Sequence, residues 1–234
     1  MSFEATLARL SSDDRARLGA VLDLLARDRG APSAVRDPGD AWRLHVADSL
    51  SGPEAQPLAS ARRIADVGAG AGFPGLVLAI ALPAASVDLI ESVGRKCEFI
   101  RRAIAAAEVA NARVIQQRAE DWARSEPPAG GREAYDVVTA RAVGRLATLA
   151  ELASPLLRDG GALVAWKGRR DPGEEAELER AGEVLAMAPG EVLAVGELAG
   201  SRHRHLHVVG KRGPTPERLP RRAGMAKKRP FGRS

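Results

Sequence analysis

Four glycines within ten residues constrain this 234-residue chain more than any other feature of its sequence. The four are Gly68, Gly70, Gly72 and Gly75. They follow residues 62–67, a segment that predicts a strand. Glycine lets the backbone adopt positive φ and lets a ligand approach the main chain closely. The segment 66–75 therefore predicts a strand-to-helix turn that cradles a ligand.

Strand-like and helix-like segments alternate from residue 61 onward. The predicted strands cover residues 62–67, 86–91, 113–117, 135–140, 161–167, 191–197 and 203–210. This alternation predicts an α/β fold with a mostly parallel sheet, helices on both faces and a closing antiparallel pair. The residues before it predict helices, and the proline-containing stretch 51–60 predicts a linker. We expect an N-terminal helical extension over 1–60, an α/β domain over 61–212 and a basic C-terminal tail over 213–234.

The positive charge is concentrated at one end of the chain. Residues 201–234 hold 11 of the 35 Lys and Arg and a single acid, Glu217, whereas the first 200 residues hold more acids than bases, so the whole positive net charge of +5 comes from this end of the chain. A concentrated basic segment is typical of proteins that bind nucleic acid, although a solubilising or disordered end has the same composition. No apolar run is long enough for a membrane span, and no secretion signal is evident. The single cysteine, Cys97, excludes an intrachain disulfide. We expect a cytoplasmic protein with no membrane partner.

The glycine turn fits two classes of cofactor. Gly70-x-Gly72-x-x-Gly75 matches the dinucleotide fingerprint, which favours a nicotinamide-dependent oxidoreductase. However, Asp66 at the mouth of the turn suits a cationic or polar ligand better than a pyrophosphate. Phe73-Pro74 also places a bulky ring where a pyrophosphate would need the helix amides. Both features favour a sulfonium nucleoside. Glu91, at the end of the next strand, can accept hydrogen bonds from ribose hydroxyls in either class.

Several motifs outside the turn carry a resemblance to a known family. They are His45-x-x-Asp48, Leu89-Ile-Glu-Ser92, Arg118-Ala-Glu120 and Ala140-Arg-Ala-Val143. Together with residues 66–75 they resemble the RsmG family, also called GidB, of guanine-N7 methyltransferases that act on small-subunit ribosomal RNA. The resemblance covers about residues 40–230. It implies a Rossmann-like class I S-adenosylmethionine-dependent methyltransferase fold, with a seven-stranded, mostly parallel sheet and an N-terminal helical extension.

The resemblance also implies roles for individual residues. Gly68 and Phe73 would contact S-adenosylmethionine, and Glu91 would hold its ribose. Ala119 and Glu120 would flank the adenine. With Asp66, Gly70 and Gly72 these residues form the expected cofactor site, and no metal is expected. The expected partner is 16S ribosomal RNA, naked or in an assembled or assembling small subunit, with the enzyme acting as a monomer.

Arg141 is the expected catalytic residue, at the methyl-donor end of the site. An arginine at the end of a buried strand is costly unless it is paired, so a structural ion pair with Glu91 or Asp66 is the alternative. Guanine N7 has an unprotonated lone pair at neutral pH, so methyl transfer needs positioning and no general base. A non-catalytic RNA-binding or ribosome-assembly factor remains a second hypothesis for the whole chain.

Overall fold

The computed structural model describes residues 3–196 and 203–233 and contains one seven-stranded sheet. The strands are β1 Arg63–Val67, β2 Ser86–Ile90, β3 Ala112–Ile115, β4 Tyr135–Arg141, β5 Leu157–Lys167, β6 Met187–Val195 and β7 Arg204–Lys211. Their order across the sheet is β3-β2-β1-β4-β5-β7-β6. The first five strands are parallel, and β7 is antiparallel to both β5 and β6. The predicted α/β architecture is confirmed, although residue 197 of the sixth predicted strand lies outside the described residues.

Helices flank the sheet in the predicted alternation. They are α1 Phe3–Leu7, α2 Ser12–Arg27, α3 Pro38–Ala41, α4 Asp48–Leu50, α5 Gln56–Ala59, α6 Gly75–Ala81, α7 Gly94–Ala106, α8 Ala119–Trp122, α9 Leu146–Ala153, α10 Pro172–Leu185 and α11 Met225–Lys228. Ser11 caps α2 through a reciprocal pair of hydrogen bonds with Asp14, because its hydroxyl and main-chain amide both find partners there. A π-helical turn, Trp42–Ala47, joins α3 to α4 into one helical segment. Within the described residues, every helix is too short or too polar to cross a bilayer.

The core lies in two hydrophobic clusters on opposite faces of the sheet. Successive side chains of β1 separate onto the two faces, so Ile64 joins one cluster and Ala65 the other. The N-terminal helices pack on the first face with α6 and α7, whereas α9 and α10 pack on the second. The N-terminal helical extension thus shares a core with the sheet, and its boundary at residue 60 stays a prediction.

The stretch 51–60 is not a linker. It contains a 3-10 turn, Gly52–Glu54, followed by α5, and Ala55 and Leu58 are fully buried. The prolines at 53 and 57 start these short helices, since the first turn of a helix does not need their missing amide hydrogens. The proline-rich composition was therefore a sign of helix starts rather than of an exposed connection.

Candidate functional site

The glycine turn after β1 has the backbone that its composition predicts. Gly68, Gly70 and Gly72 have φ of +71°, +60° and +92°, a region that side-chain-bearing residues rarely occupy. A Cβ added at Gly68 would lie 2.7 Å from Cγ2 of Val143. The turn is closed by hydrogen bonds that the Gly68 and Ala69 amides donate to the carbonyl of Ile90. Glycine is thus required at position 68 by both backbone conformation and space.

A cavity opens beside this turn, at the carboxyl ends of β1 and β2. Its lining includes Gly68, Glu91, Ala119, Glu120, Val143 and Leu152. This is the crevice in which open α/β sheets bind their ligands. Of the predicted cofactor residues, the structure brings Gly68, Glu91, Ala119 and Glu120 together around it. Asp66, Phe73 and Arg141 are not part of the lining of this cavity and lie on other sides of the turn.

Glu91 anchors the turn from the second strand. Its Oε2 accepts a hydrogen bond from the Gly70 amide at 3.1 Å, and its Oε1 accepts one from the Val93 amide at 2.9 Å. The Lys96 ammonium lies 3.7 Å from Oε2. A carboxylate has about four lone-pair positions, so Glu91 can also accept from a ligand in the cavity. Its position fits the predicted contact with a pair of ribose hydroxyls.

Asp66 lies beneath the turn and shapes it. Its Oδ2 accepts from the amide of Gly75, the first residue of α6, at 3.0 Å, and its Oδ1 accepts from the Thr139 hydroxyl at 2.9 Å. Burial raises the pKa of Asp66 to about 6, although both hydrogen bonds favour the charged form. With 1% of its surface exposed, Asp66 supports the glycine turn from below.

Arg141, at the end of β4, pairs with the N-terminal helical segment. Its Nη1 donates to Oδ2 of Asp48 at 2.9 Å and to the carbonyl of Leu44 at 3.1 Å. Nη1 of Arg204 is 3.6 Å from the same carboxylate oxygen. The suggested ion pair with Glu91 or Asp66 is wrong, because Asp48 provides a closer carboxylate from another part of the chain. Among the described residues, the other oxygen of Asp48 is buried without a hydrogen-bond partner.

His45 and Phe73 complete the surroundings of Arg141. Their rings stack with centroids 4.5 Å apart and planes 6° from parallel, and Cζ of Arg141 is 5.9 Å from the Phe73 centroid. Burial, with the positive charges of Arg141 and Arg204, lowers the pKa of His45 to about 4. The neutral ring accepts from Arg141 at Nδ1, at 3.3 Å, so its Nε2 donates to Ser33 Oγ at 3.0 Å.

The sequence alone did not indicate these partners of Arg141. The His45-x-x-Asp48 spacing contained the signal, since residues three apart on a helix share a face. Two of the tryptophans have structural roles: the Trp122 and Trp166 indole N–H groups donate to Tyr135 and to the Asp48 carbonyl within the core. Across residues 3–196 and 203–233, no three acidic, His or Cys side chains are grouped to hold a metal ion.

Comparisons of the sequence with known proteins agree on one family. Residues 32–207 match the family model GidB, described as "rRNA small subunit methyltransferase G". The chain is 41% identical over 226 residues to a "Ribosomal RNA small subunit methyltransferase G" of Chloroflexus aggregans, covering 95% of this chain and 92% of that one. A protein of the same name from Rubrobacter xylanophilus is 43% identical over 200 residues, covering 84% and 76% of the two chains.

Solved structures share the fold at low sequence identity. A SAM-dependent methyltransferase from Aquifex aeolicus superposes with a TM-score of 0.51 at 18% identity, covering 75% of this chain and 98% of that one. A ribosomal protein L11 methylase from Lactobacillus delbrueckii subsp. bulgaricus gives a TM-score of 0.55 at 14% identity, covering 80% and 84%. These structures bear on the architecture alone, which is the predicted methyltransferase fold.

Proposed function

Because the chain belongs to the rRNA small subunit methyltransferase G family, we propose that it methylates N7 of a guanine in 16S, the small-subunit, ribosomal RNA. The methyl donor is S-adenosylmethionine. The observation that carries the proposal is the cavity at the glycine turn, which gathers Gly68, Glu91, Ala119 and Glu120 from three segments of the chain.

The cavity suits a nucleoside without a pyrophosphate. A dinucleotide would need the free amides at the start of α6. The first of these, the Gly75 amide, already donates to Asp66, whose negative charge would repel a phosphate. Gly68 leaves room for a nucleoside, and any Cβ at this position would reduce that room. Glu91 presents a carboxylate for two ribose hydroxyls. These features favour S-adenosylmethionine over a nicotinamide cofactor.

We assign the cofactor contacts accordingly. Gly68 and Glu91 bind the ribose end, and Ala119 and Glu120 bind the adenine. Asp66, Gly70 and Gly72 act by holding the turn in its conformation, since their bonds and positive φ values lie within it. Phe73 bounds the site on the side of Arg141.

Methyl transfer then depends on alignment. When bound, S-adenosylmethionine would supply a methyl group on its sulfonium. The lone pair of guanine N7 would bond to this methyl carbon without a general base as the carbon–sulfur bond breaks, leaving S-adenosylhomocysteine. The chain's contribution is to orient the guanine, and well-oriented reactants gain roughly 7–11 kcal/mol in such steps. Among the described residues, Arg141 uses three hydrogen bonds on Asp48, Leu44 and His45, which leaves other donors of its guanidinium for guanine O6. Asp48 balances its charge, which favours a guanine that becomes cationic at N7.

The basic C-terminal tail is the proposed RNA-binding surface. Exposed cations of this tail are Arg218, Arg222, Lys227, Lys228, Arg229 and Arg233. Each phosphate contact made by such a residue releases counterions, so binding weakens as salt rises. Truncation after Lys211 is expected to weaken RNA binding and to flatten its salt dependence. An unchanged slope of affinity against salt would contradict this role.

The working context follows from the substrate. Small-subunit RNA implies a cytoplasmic enzyme, and we expect the chain to act as a monomer. The acceptor is either naked RNA or a small ribosomal subunit, assembled or in assembly. Purified protein supplied with labelled S-adenosylmethionine and each acceptor separately would decide between them.

The deciding experiment is mass-spectrometric mapping of methylated guanosine in small-subunit RNA from cells with and without this protein. We expect one 7-methylguanosine to disappear on deletion and to return with the wild-type gene. An unchanged methylation map, together with RNA binding by the purified chain, would instead support the non-catalytic RNA-binding factor.

A further inference from the structure

We propose that the C-terminal segment, residues 213–233, supports one wall of the cofactor cavity and thereby couples cofactor binding to RNA binding. The inference rests on the proposed function, since it takes the cavity as the cofactor site and the segment as an RNA surface. It goes further in making the two sites dependent on each other.

The first contact is with Glu120, a residue of the cavity wall. The Gly224 amide donates to Oε1 of Glu120 at 2.7 Å. Gly224 has φ of +82°, and this left-handed conformation precedes α11. One oxygen of the carboxylate proposed to face the adenine is therefore oriented by the segment.

The second contact is with α9, which contributes Leu152 to the same cavity. The neighbouring Glu151 is 3% exposed and accepts two hydrogen bonds from Arg221, from Nε at 2.6 Å and from Nη2 at 2.5 Å. Such two-pronged pairing fixes geometry as well as charge. Removing Arg221 would leave the Glu151 charge buried without its partner.

Arg221 also holds the segment together. Its Nη2 donates to the carbonyl of Arg229 at 2.8 Å, and its Cζ lies 4.0 Å from the centroid of the Phe231 ring. Thr148, also on α9, donates to the carbonyl of Ala226 at 3.2 Å. The segment thus contacts α9 through Arg221, which precedes α11, and through Ala226 within α11. Arg221 also contacts residues that follow α11 and is therefore the central attachment.

The outer surface of the same segment carries the exposed cations proposed to meet RNA. Lys227 and Lys228 lie in α11, the short helix that begins directly after Gly224, which contacts Glu120. A phosphate backbone bound to these lysines stabilises the segment in its position against α9. A nucleoside bound to Glu120 in the cavity stabilises the same position. Two ligands that stabilise one arrangement increase each other's affinity by the same factor. Arg221 is accordingly a positioning residue for the cavity wall.

The test uses the full chain and two binding measurements. Calorimetry gives the Kd of S-adenosylhomocysteine, and fluorescence anisotropy gives the Kd of a small-subunit RNA fragment with and without saturating S-adenosylhomocysteine. For wild type we expect the RNA Kd to tighten about fivefold with the nucleoside, within the range of ordinary couplings. For Arg221→Gln we expect S-adenosylhomocysteine binding at least fivefold weaker, with the coupling lost.

Matched variants separate the two surfaces. Lys227→Gln with Lys228→Gln should weaken RNA binding and leave the Kd of S-adenosylhomocysteine within twofold. If Arg221→Gln does not fold, the double variant Glu151→Gln with Arg221→Gln removes the buried charge together with its partner and serves in its place. The inference is overturned, and the proposed function is left intact, by either of two results. One is an unchanged Kd of S-adenosylhomocysteine in the folded Arg221 variant, and the other is a wild-type RNA Kd that does not respond to the nucleoside. Wild type that does not bind S-adenosylhomocysteine overturns the proposed function and this inference with it.

Discussion

Replacing Gly68 by alanine tests whether the turn is built around its cofactor. The new Cβ would lie 2.7 Å from Val143 Cγ2, and the residue would keep a φ of +71°. The left-handed backbone costs an alanine about 1–2 kcal/mol. Overpacking against Val143 adds about 1–3 kcal/mol. We therefore expect the free energy of unfolding to fall by about 2–5 kcal/mol.

Gly160→Ala is the matched control for this substitution. Gly160 has φ of +72°, and its added Cβ would meet only the end of the flexible Arg158 side chain, at 3.8 Å. It is exposed near the start of β5, whereas the cavity lies at the opposite, carboxyl ends of the parallel strands. This variant carries the backbone cost without the collision, so we expect a loss of about 1–2 kcal/mol.

The cofactor affinities should separate the two variants more sharply. Val143 and Gly68 both line the cavity, so a displaced Val143 reduces the room for the nucleoside. Calorimetry should show S-adenosylmethionine binding at least tenfold weaker in Gly68→Ala, about 1.4 kcal/mol, and within twofold of wild type in Gly160→Ala. Gly68→Ala with Val143→Ala should recover part of the stability. Wild-type affinity in a folded Gly68→Ala protein would refute the assignment of this cavity.

Two further predictions concern the surroundings of Arg141. Asp48→Asn removes the buried partner of Arg141 and should cost about 3 kcal/mol in urea unfolding, whereas Arg158→Gln, which breaks an exposed pair, should cost under about 1 kcal/mol. Similar losses in both would contradict the buried ion pair. The pKa of His45 is about 4 in the folded protein and 6.5 in the free side chain. Between pH 6.5 and pH 4 the unfolded chain therefore binds more protons than the folded one, so wild type loses stability as the pH falls through this range. His45→Asn should remove about 2–3 kcal/mol of this change in stability with pH. Asp66, whose pKa is raised to about 6, contributes the opposite slope, but it does so in both wild type and variant and cancels when the two are compared. Parallel stability profiles from pH 7 to pH 4.5 would show that His45 is not the titrating group.

Much of the fold could be read from local patterns. The alternation of strands and helices predicted the parallel sheet and its antiparallel end, because each element's periodicity is set by residues a few positions apart. The short helix α8 and the helical turns over 51–60 were missed, since four-residue helices leave too few positions for a periodic signal. The proline-rich stretch also showed no sign of the burial that it acquires against the sheet.

The glycine turn shows which features the sequence determined and which depended on the tertiary structure. Its sequence by itself determined a positive-φ loop after a strand, because glycine adopts that backbone without the strain that a side chain brings. The resemblance that includes Arg118-Ala-Glu120 indicated the nucleoside. Only the tertiary structure decided that Asp66 faces inward to α6 and that Arg141 pairs with Asp48, 93 residues away. It also decided that Gly224 meets Glu120 across 104 residues. Such contacts depend on which faces of separate elements are packed together, and no local pattern of side chains encodes that choice.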